Sequence, residues 1–199
     1  MKTELKEQIL NRIKHDKLTA FSCYDFTDLA NYKTISKCIE RLEDSYTIRR
    51  IINGIYCLNE QDKELSLPKL PSINDIAKCI ARKNKWTICP TGSVSLNALG
   101  LSTQVPSSYI YLSTGPYKKY VIFDTQLIFK HTMSRELIDN SEQTTLLIQC
   151  IKVLGKDGVE FDMINHLKKM FSEEEKKTII KETTSIPSWI RNMILEICK

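Results

Sequence analysis

The sequence predicts an α+β protein built from an N-terminal helical unit and a second domain. Three observations support this class. Apolar residues recur at helical spacing up to residue 44, Asn53-Gly54 separates two β-rich runs, and short strand-like runs follow between residues 109 and 130. With 199 residues, the chain is long enough to bury a core in one large domain or in two small ones.

Two helices are predicted near the N-terminus. Leu5, Ile9 and Ile13 recur every four residues, which predicts a helix over residues 2–14. A break follows, and residues 24–30 then predict a short second helix that ends at a turn.

The third predicted helix spans Lys33–Asp44 and carries the candidate recognition surface. Ile35, Ile39 and Leu42 form its apolar side, whereas the opposite side is basic and short-polar. This composition suits the major groove of DNA, where Ser and Thr reach bases or phosphates and Lys and Arg neutralise phosphates. The candidate DNA-binding residues of this helix are Lys33, Thr34, Ser36, Lys37 and Arg41.

Residues 46–58 predict a β-hairpin that turns at Asn53-Gly54, since both residues tolerate the positive φ of a two-residue turn. Behind three helices, this hairpin is interpreted as the wing of a winged helix-turn-helix. Arg49 and Arg50 are adjacent on a strand and face opposite sides, so at least one is free to meet a phosphate or enter a minor groove. The candidate DNA-binding residues of the wing are Arg49, Arg50 and Asn53.

Composition predicts the domain boundaries. Residues 1–58 form the winged helix-turn-helix DNA-binding domain, and residues 59–71 are polar, then proline-punctuated, and form a linker. Residues 72–199 form the second domain, which begins with a helix capped by Ser72 that runs to about Lys83.

Further strands and helices are predicted in the second domain. Residues 86–89 form an extended stretch that ends at Pro90, and Thr91 caps a helix over residues 92–99. Three strand-like runs with short connections predict a small antiparallel meander, and the rest of the chain is predicted to be helical. The three runs are Tyr109–Ser113, Lys119–Phe123 and Gln126–Lys130.

The net charge of +5 is unevenly distributed. Residues 1–58 carry ten Lys and Arg against eight Asp and Glu, whereas residues 76–135 carry eight against Asp124 alone. The middle of the chain therefore attracts polyanions or an acidic partner. The near-balanced charge of the first domain leaves a protein-interaction role open for its helices and hairpin.

The sequence indicates neither a membrane segment nor a metal site. No apolar run approaches the roughly 18 residues of a membrane helix, and the N-terminus has no signal-peptide core, so a cytoplasmic location is expected. The seven cysteines are scattered, never in C-x-x-C spacing and never beside a histidine. They are predicted to be reduced, buried thiols, with no metal and no cofactor.

Several segments carry a resemblance to a known family. Over about residues 5–135 they resemble the AbiEi family of antitoxins from bacterial type IV toxin–antitoxin systems. The segments are the hairpin Arg49–Tyr56, the helix Ile76–Asn84, the run Pro90-Thr91-Gly92, and Leu99-Gly100-Leu101-Ser102-Thr103-Gln104-Val105-Pro106, which is the most specific.

The resemblance implies an antitoxin that is also an autorepressor active in phage defence. Its winged helix would bind inverted repeats in the promoter of its own operon, as double-stranded DNA. Its second domain would counteract a cognate nucleotidyltransferase-like toxin, and direct contact between the two proteins stays open. A monomer or weak dimer that binds DNA cooperatively and a stable dimer are both compatible with the residues.

An enzymatic function is not expected. The Gly-Ser dipeptide at residues 92–93 is similar to that of nucleotidyltransferases, but metal-dependent transfer needs carboxylates nearby, and the next acid after Asp75 is Asp124. Spacing alone does not exclude a pair of Ser102, or the serine of that dipeptide, with His131. Nothing marks a nucleophile elbow, and no phosphate-binding glycine motif occurs.

A second surface is predicted around the loop of residues 100–106. Two interpretations stand equal: a recognition loop on a basic face, and a loop whose side chains satisfy its own backbone. In the alternative function, the winged helix is mainly structural and the basic middle segment engages a protein or RNA. The residues of this second anionic or toxin-related surface are Arg82, Lys83, Ser102, Thr103, Gln104, Lys118, Lys119 and Lys130.

Overall fold

The computed structural model describes residues 2–61, 67–133 and 135–199, and it confirms the α+β class. The chain divides into two compact units, Met1–Trp86 and Thr87–Lys199, each with its own apolar cluster. The sequence placed the boundary in a linker of residues 59–71, of which residues 62–66 lie outside the described part. The boundary lies later because the helix after the linker packs against the first unit.

The first unit combines helices with a β-hairpin. Two of its helices begin at side-chain caps: the Asn31 Oδ1 accepts a hydrogen bond from the Thr34 amide at 3.0 Å, and the Ser72 Oγ accepts one from the Asp75 amide at 3.1 Å. The elements are α1 (Lys2–His15), a 3₁₀ turn (Cys23–Phe26), α2 (Tyr32–Asp44), β1 (Ile48–Ile52), β2 (Ile55–Leu58) and α3 (Ile73–Asn84).

The predicted second helix over residues 24–30 is wrong, because only the 3₁₀ turn forms there. The Thr27 hydroxyl donates to the Tyr24 carbonyl at 3.1 Å and competes for an acceptor that an α-helix would use. The Leu29 amide bonds the Phe26 carbonyl, three residues back, at 2.9 Å. The backbone of this segment therefore follows three-residue hydrogen bonds rather than the four-residue bonds of an α-helix.

Phe21 lies at the centre of the first unit. Its side chain is fully buried, with the Phe26 ring edge-on at 5.8 Å and the Tyr56 ring stacked at 6.4 Å between centroids. Its backbone exchanges two hydrogen bonds with Tyr56, of 2.9 and 2.8 Å, so the segment before the 3₁₀ turn pairs with β2. One residue thus joins the helices to the hairpin.

The hairpin forms as predicted, with Asn53 and Gly54 between paired Ile52 and Ile55. Its turn differs from the prediction, because Gly54 has a φ of +74° whereas Asn53 is not in the positive-φ region. The register also shifts between Arg50 and Ile52, and this bulge lets the turn close with a single left-handed residue.

The second unit combines a four-stranded sheet with helices. The Leu147, Ile148 and Ile151 side chains of one helix join the cluster that holds the C-terminal helices together. The elements are β3 (Ile88–Thr91), α4 (Ser93–Ala98), β4 (Ser108–Ser113), β5 (Lys118–Ile122), β6 (Thr125–His131), α5 (Arg135–Ile138), α6 (Glu142–Leu154), α7 (Phe161–Met170), α8 (Glu173–Glu182) and α9 (Ser188–Ile197).

The predicted antiparallel meander is wrong. The strand order is β3-β4-β6-β5, and β4 pairs with β6 in parallel. The connection from β4 to β5 passes the end of β6, where the His131 Nδ1 lies 2.9 Å from the Gly115 carbonyl. The four residues of this connection can span two inter-strand distances of about 4.8 Å each. A short connection therefore does not require that the two strands it joins lie side by side.

Two boundaries in the second unit also differ from the prediction. Pro90 lies within β3 rather than at its end, which is tolerated because β3 is an edge strand of this sheet. Thr91 is the last residue of β3 and pairs with Ile110, so it does not cap α4. Gly92 occupies the cap position with a φ of +64°, a conformation that favours glycine.

No helix among the described residues is long and apolar enough to cross a membrane.

Candidate nucleic-acid interface

Helix α2 presents cations on its outward side. Ile35, Ile39 and Leu42 are buried on the other side. Lys33, Lys37 and Arg41 are exposed, and among the described residues no hydrogen bond or ion pair engages these three cations. Their charge is therefore available to an anion.

The charges of α2 are divided along its length. Lys33 and Lys37 lie in the N-terminal half, which contains no acid, whereas Glu40, Glu43 and Asp44 lie in the C-terminal half. A recognition helix contacts base edges with its N-terminal residues. The half of α2 that such a mode brings closest to DNA is therefore the cationic half.

The short polar residues of α2 are placed differently. The Thr34 hydroxyl donates to the Asn31 Oδ1 at 2.9 Å, so it is part of the helix cap, although Thr34 is exposed. Ser36 is half-buried beside the outward face. Both remain predicted DNA-binding residues, and the Thr34 hydroxyl still has lone pairs with which to accept a hydrogen bond.

An open groove of about 530 Å³ runs between α1 and α2. Thr34, Lys37 and Arg41 line its α2 side, and apolar side chains that include Leu29 and Cys38 form part of its surface. Burial is the main cause that raises the pKa of the Cys38 thiol, and the nearby Arg41 charge opposes it. Lys37 and Arg41 thus belong to both the outward face and the rim of this groove.

The two arginines of the wing each have a partner. The Arg50 Nη2 donates to the Glu43 Oε2 at 2.7 Å, and its guanidinium lies 5.5 Å from the centroid of the Tyr56 ring. The hydrogen bond to Glu43 is the main cause that raises the pKa of Arg50. The Arg49 Nη2 donates to the Asn59 Oδ1 at 2.7 Å. These contacts hold the arginines at defined positions on the hairpin.

Arg82, predicted on a second surface, is a structural anchor within the first unit. Its Nε donates to the Asp25 Oδ1 at 3.0 Å, and its Nη2 donates to the Ala20 carbonyl at 3.0 Å. These bonds fasten the end of α3 to the 3₁₀ turn. Lys83 follows on the same helix and donates to the Asn53 carbonyl at 3.4 Å.

The predicted second surface therefore does not belong to one unit. Arg82 and Lys83 belong to the first unit, and the other predicted residues belong to the second. The charge total over residues 76–135 therefore adds together cations that belong to two separate units. Spacing in the sequence alone could not reveal this division. The members in the second unit are Ser102, Thr103, Gln104, Lys118, Lys119 and Lys130.

The loop of residues 100–106 satisfies much of its own backbone. The Ser102 Oγ accepts from the Gln104 amide at 3.2 Å, and the Asn97 Nδ2 donates to the Gln104 carbonyl at 2.6 Å. Thr103 and the Gln104 side chain are exposed. Of the two interpretations, these contacts favour a loop that holds its own conformation.

Within the described part of the chain, no group of three His, Cys, Asp or Glu side chains is placed to hold a metal ion. All seven cysteines are buried, free thiols. Burial raises the pKa of Cys79, Cys89 and Cys150 to about 12, so these three are protonated and weakly nucleophilic at neutral pH.

Three contacts of the candidate interface were not predicted from the sequence. Glu43 holds Arg50, Lys83 reaches the wing, and Tyr24 packs on Tyr32 with 5.0 Å between ring centroids. The contacts that involve Glu43 and Tyr24 span seven and eight residues, but the Lys83 contact spans thirty. The first two lie within one supersecondary unit, where a sequence pattern could have suggested them, whereas the third depends on how α3 packs.

A family model described as a family of unknown function, DUF6088, matches residues 8–179. No curated protein matches the chain.

Proposed function

The chain belongs to the family DUF6088, whose function is unknown, and from its own residues we propose that it is a double-stranded DNA-binding repressor acting on the promoter of its own operon. The observation that carries the proposal is the cationic N-terminal half of α2, with Lys33 and Lys37 exposed and the wing beside the same helix. A repressor of this kind acts in the cytoplasm, and we place the protein there.

Each candidate residue has a role in the proposal. Lys33, Lys37 and Arg41 neutralise phosphates along the major groove, while Thr34 and Ser36 approach base edges. In the wing, the residues that contact DNA are Arg49, Arg50 and Asn53. Asn59 holds Arg49, and Glu43 holds Arg50. Asn53 is exposed at the tip of the wing.

The test is the salt dependence of binding to the DNA upstream of the gene. The three phosphates neutralised by α2 alone contribute about −2.7 to the slope of log K against log salt, because each contact contributes about −0.9. The slope is measured by fluorescence anisotropy of a labelled duplex at KCl concentrations from about 50 to about 200 mM. An RNA duplex of the same sequence is the control.

The outcomes of that test separate two functions. Binding to the promoter duplex over the RNA duplex and over scrambled DNA supports the repressor. Equal or tighter binding to RNA, or no salt-dependent binding to DNA, contradicts it and favours the alternative, a protein- or RNA-interaction module with a structural winged helix.

We further propose that the protein is an antitoxin whose second unit counteracts a nucleotidyltransferase-like toxin. The support is the resemblance of residues 76–106 to the AbiEi family, and the surface concerned includes Thr103, Gln104, Lys118, Lys119 and Lys130 in the second unit. No cofactor and no catalytic role are part of the proposal.

The unit boundary sharpens the test of this division. Residues 87–199, co-expressed with a nucleotidyltransferase-like toxin, are expected to restore part of the growth that the toxin prevents, without repressing the promoter. Residues 1–86 are the matched control and are expected to repress without protecting. Protection by residues 1–86 alone, or a folded 87–199 fragment that gives none, contradicts the division.

A further inference from the structure

The wing receives a cation from outside the hairpin. Lys83, in the last turn of α3, places its Nζ 3.4 Å from the Asn53 carbonyl at the tip of the wing. The ammonium also lies close to Gly54, since a Cβ built on that glycine would lie 2.6 Å from the Nζ. The absence of a side chain at Gly54 therefore lets Lys83 reach the turn.

The helix end that carries Lys83 is held in place by the neighbouring Arg82. Arg82 bonds both Asp25 and the Ala20 carbonyl, which fixes the end of α3 against the 3₁₀ turn. The 3₁₀ turn in turn contacts the start of α2 through the Tyr24 and Tyr32 rings. A continuous series of contacts thus connects the wing-tip lysine to the cationic half of the proposed recognition helix.

The Lys83 ammonium has spare capacity for an anion. It has three donors, and its one hydrogen bond is long and goes to a neutral carbonyl. Among the described residues, no carboxylate lies within ion-pair distance of it. By contrast, Arg50 is paired with Glu43, and Arg49 with the Asn59 side chain. Arg50 therefore has a carboxylate partner, whereas the Lys83 ammonium contacts only a neutral oxygen and keeps two of its three donors for an anion.

We propose that Lys83, together with the wing tip at Asn53 and Gly54, forms a binding site for one backbone phosphate of duplex DNA. The site rests on the proposed DNA-binding function and names α3, a helix outside the predicted 1–58 domain, as part of the interface. Lysine suits this role, since a compact ammonium binds phosphate as a point charge. The contact positions the wing and carries no base specificity.

The experiment compares full-length variants on the labelled promoter duplex. Lys83→Met keeps the length of the side chain and removes its charge, so the salt slope is expected to become shallower by about 0.9 and the affinity to fall about tenfold. Lys83→Arg is expected to restore the slope, because it keeps the charge.

Lys85→Met is the matched control, because Lys85 is exposed at the same helix end and has no contact with the wing in the described chain. It is expected to change the slope by less than half as much. A wild-type slope in Lys83→Met, or an equal loss in Lys85→Met, overturns the site while the repressor proposal stands. If the wild-type protein shows no salt-dependent binding, the proposed function fails first. Loss of the fold in Lys83→Met overturns the site too, because the ammonium is then a structural support.

Discussion

Replacing Lys37 and Arg41 together with alanine is expected to weaken promoter binding about 100-fold at fixed salt. Both side chains are exposed one helical turn apart on α2, and neither has a partner among the described residues. A hydrogen bond to a charged group contributes about 1.5 kcal/mol or more, so two lost phosphate contacts cost about 3 kcal/mol. The salt slope is expected to become shallower by about 1.8.

Electrophoretic shift and anisotropy measure this loss, and circular dichroism shows that the fold is retained. Lys177→Ala with Lys181→Ala is the matched control, because it removes two exposed cations at the same spacing from helix α8 of the second unit. The control is expected to bind DNA within about twofold of wild type, because these two lysines are not part of the proposed interface. Wild-type binding by the α2 double variant would show that the recognition helix has been assigned wrongly.

Phe21→Ala is expected to destabilise the first unit by about 3–5 kcal/mol, as truncation of a buried aromatic side chain leaves a cavity. The Phe21 side chain is fully buried against the Phe26 and Tyr56 rings, and the backbone of Phe21 is hydrogen-bonded to the backbone of Tyr56. A typical domain is stable by about 5–15 kcal/mol, so this loss removes a large part of the total. DNA binding is expected to fail at lower temperature than in the wild-type protein.

Urea denaturation gives the change in unfolding free energy, and hydrogen–deuterium exchange locates it. Peptides from residues 2–61 are expected to exchange faster, while peptides from α6 to α9 are expected to exchange as in the wild-type protein. Phe161→Ala is the control, because Phe161 is exposed at the start of α7 and is expected to change stability by about 0.5 kcal/mol or less. Equal acceleration in both units would contradict a division into two separately stabilised bodies.

The local elements with a strong pattern could be predicted from the sequence. The apolar spacing of α2 and the cap at Ser72 depend on residues within a few positions, and the structure places both elements as expected. The absence of the predicted second helix could not be foreseen, because the turn that replaces it is held by contacts with distant segments, such as that of Asp25 with Arg82. Propensity over seven residues is weak, and tertiary contacts override it.

The candidate site, like the fold, could be predicted only in part. The outward face of α2 follows from helical geometry alone, so Lys33, Lys37 and Arg41 are exposed as the sequence predicted. Helical geometry does not determine the partners of the wing arginines or the location of Lys83, since these depend on which elements pack together. A charge total along the chain measures composition, and it does not measure which charges share a surface.

The sequence by itself determined the α+β class, the helix with a cationic outward face, and the hairpin that turns at Gly54. Each of these is set by interactions between residues close in the chain, whose geometry the backbone dictates. Only the tertiary structure decided that α3 belongs to the first unit, that Arg82 is an anchor rather than part of a free surface, and that β6 lies between β4 and β5. These outcomes depend on packing between segments distant in the chain, where the burial of whole faces outweighs any local preference.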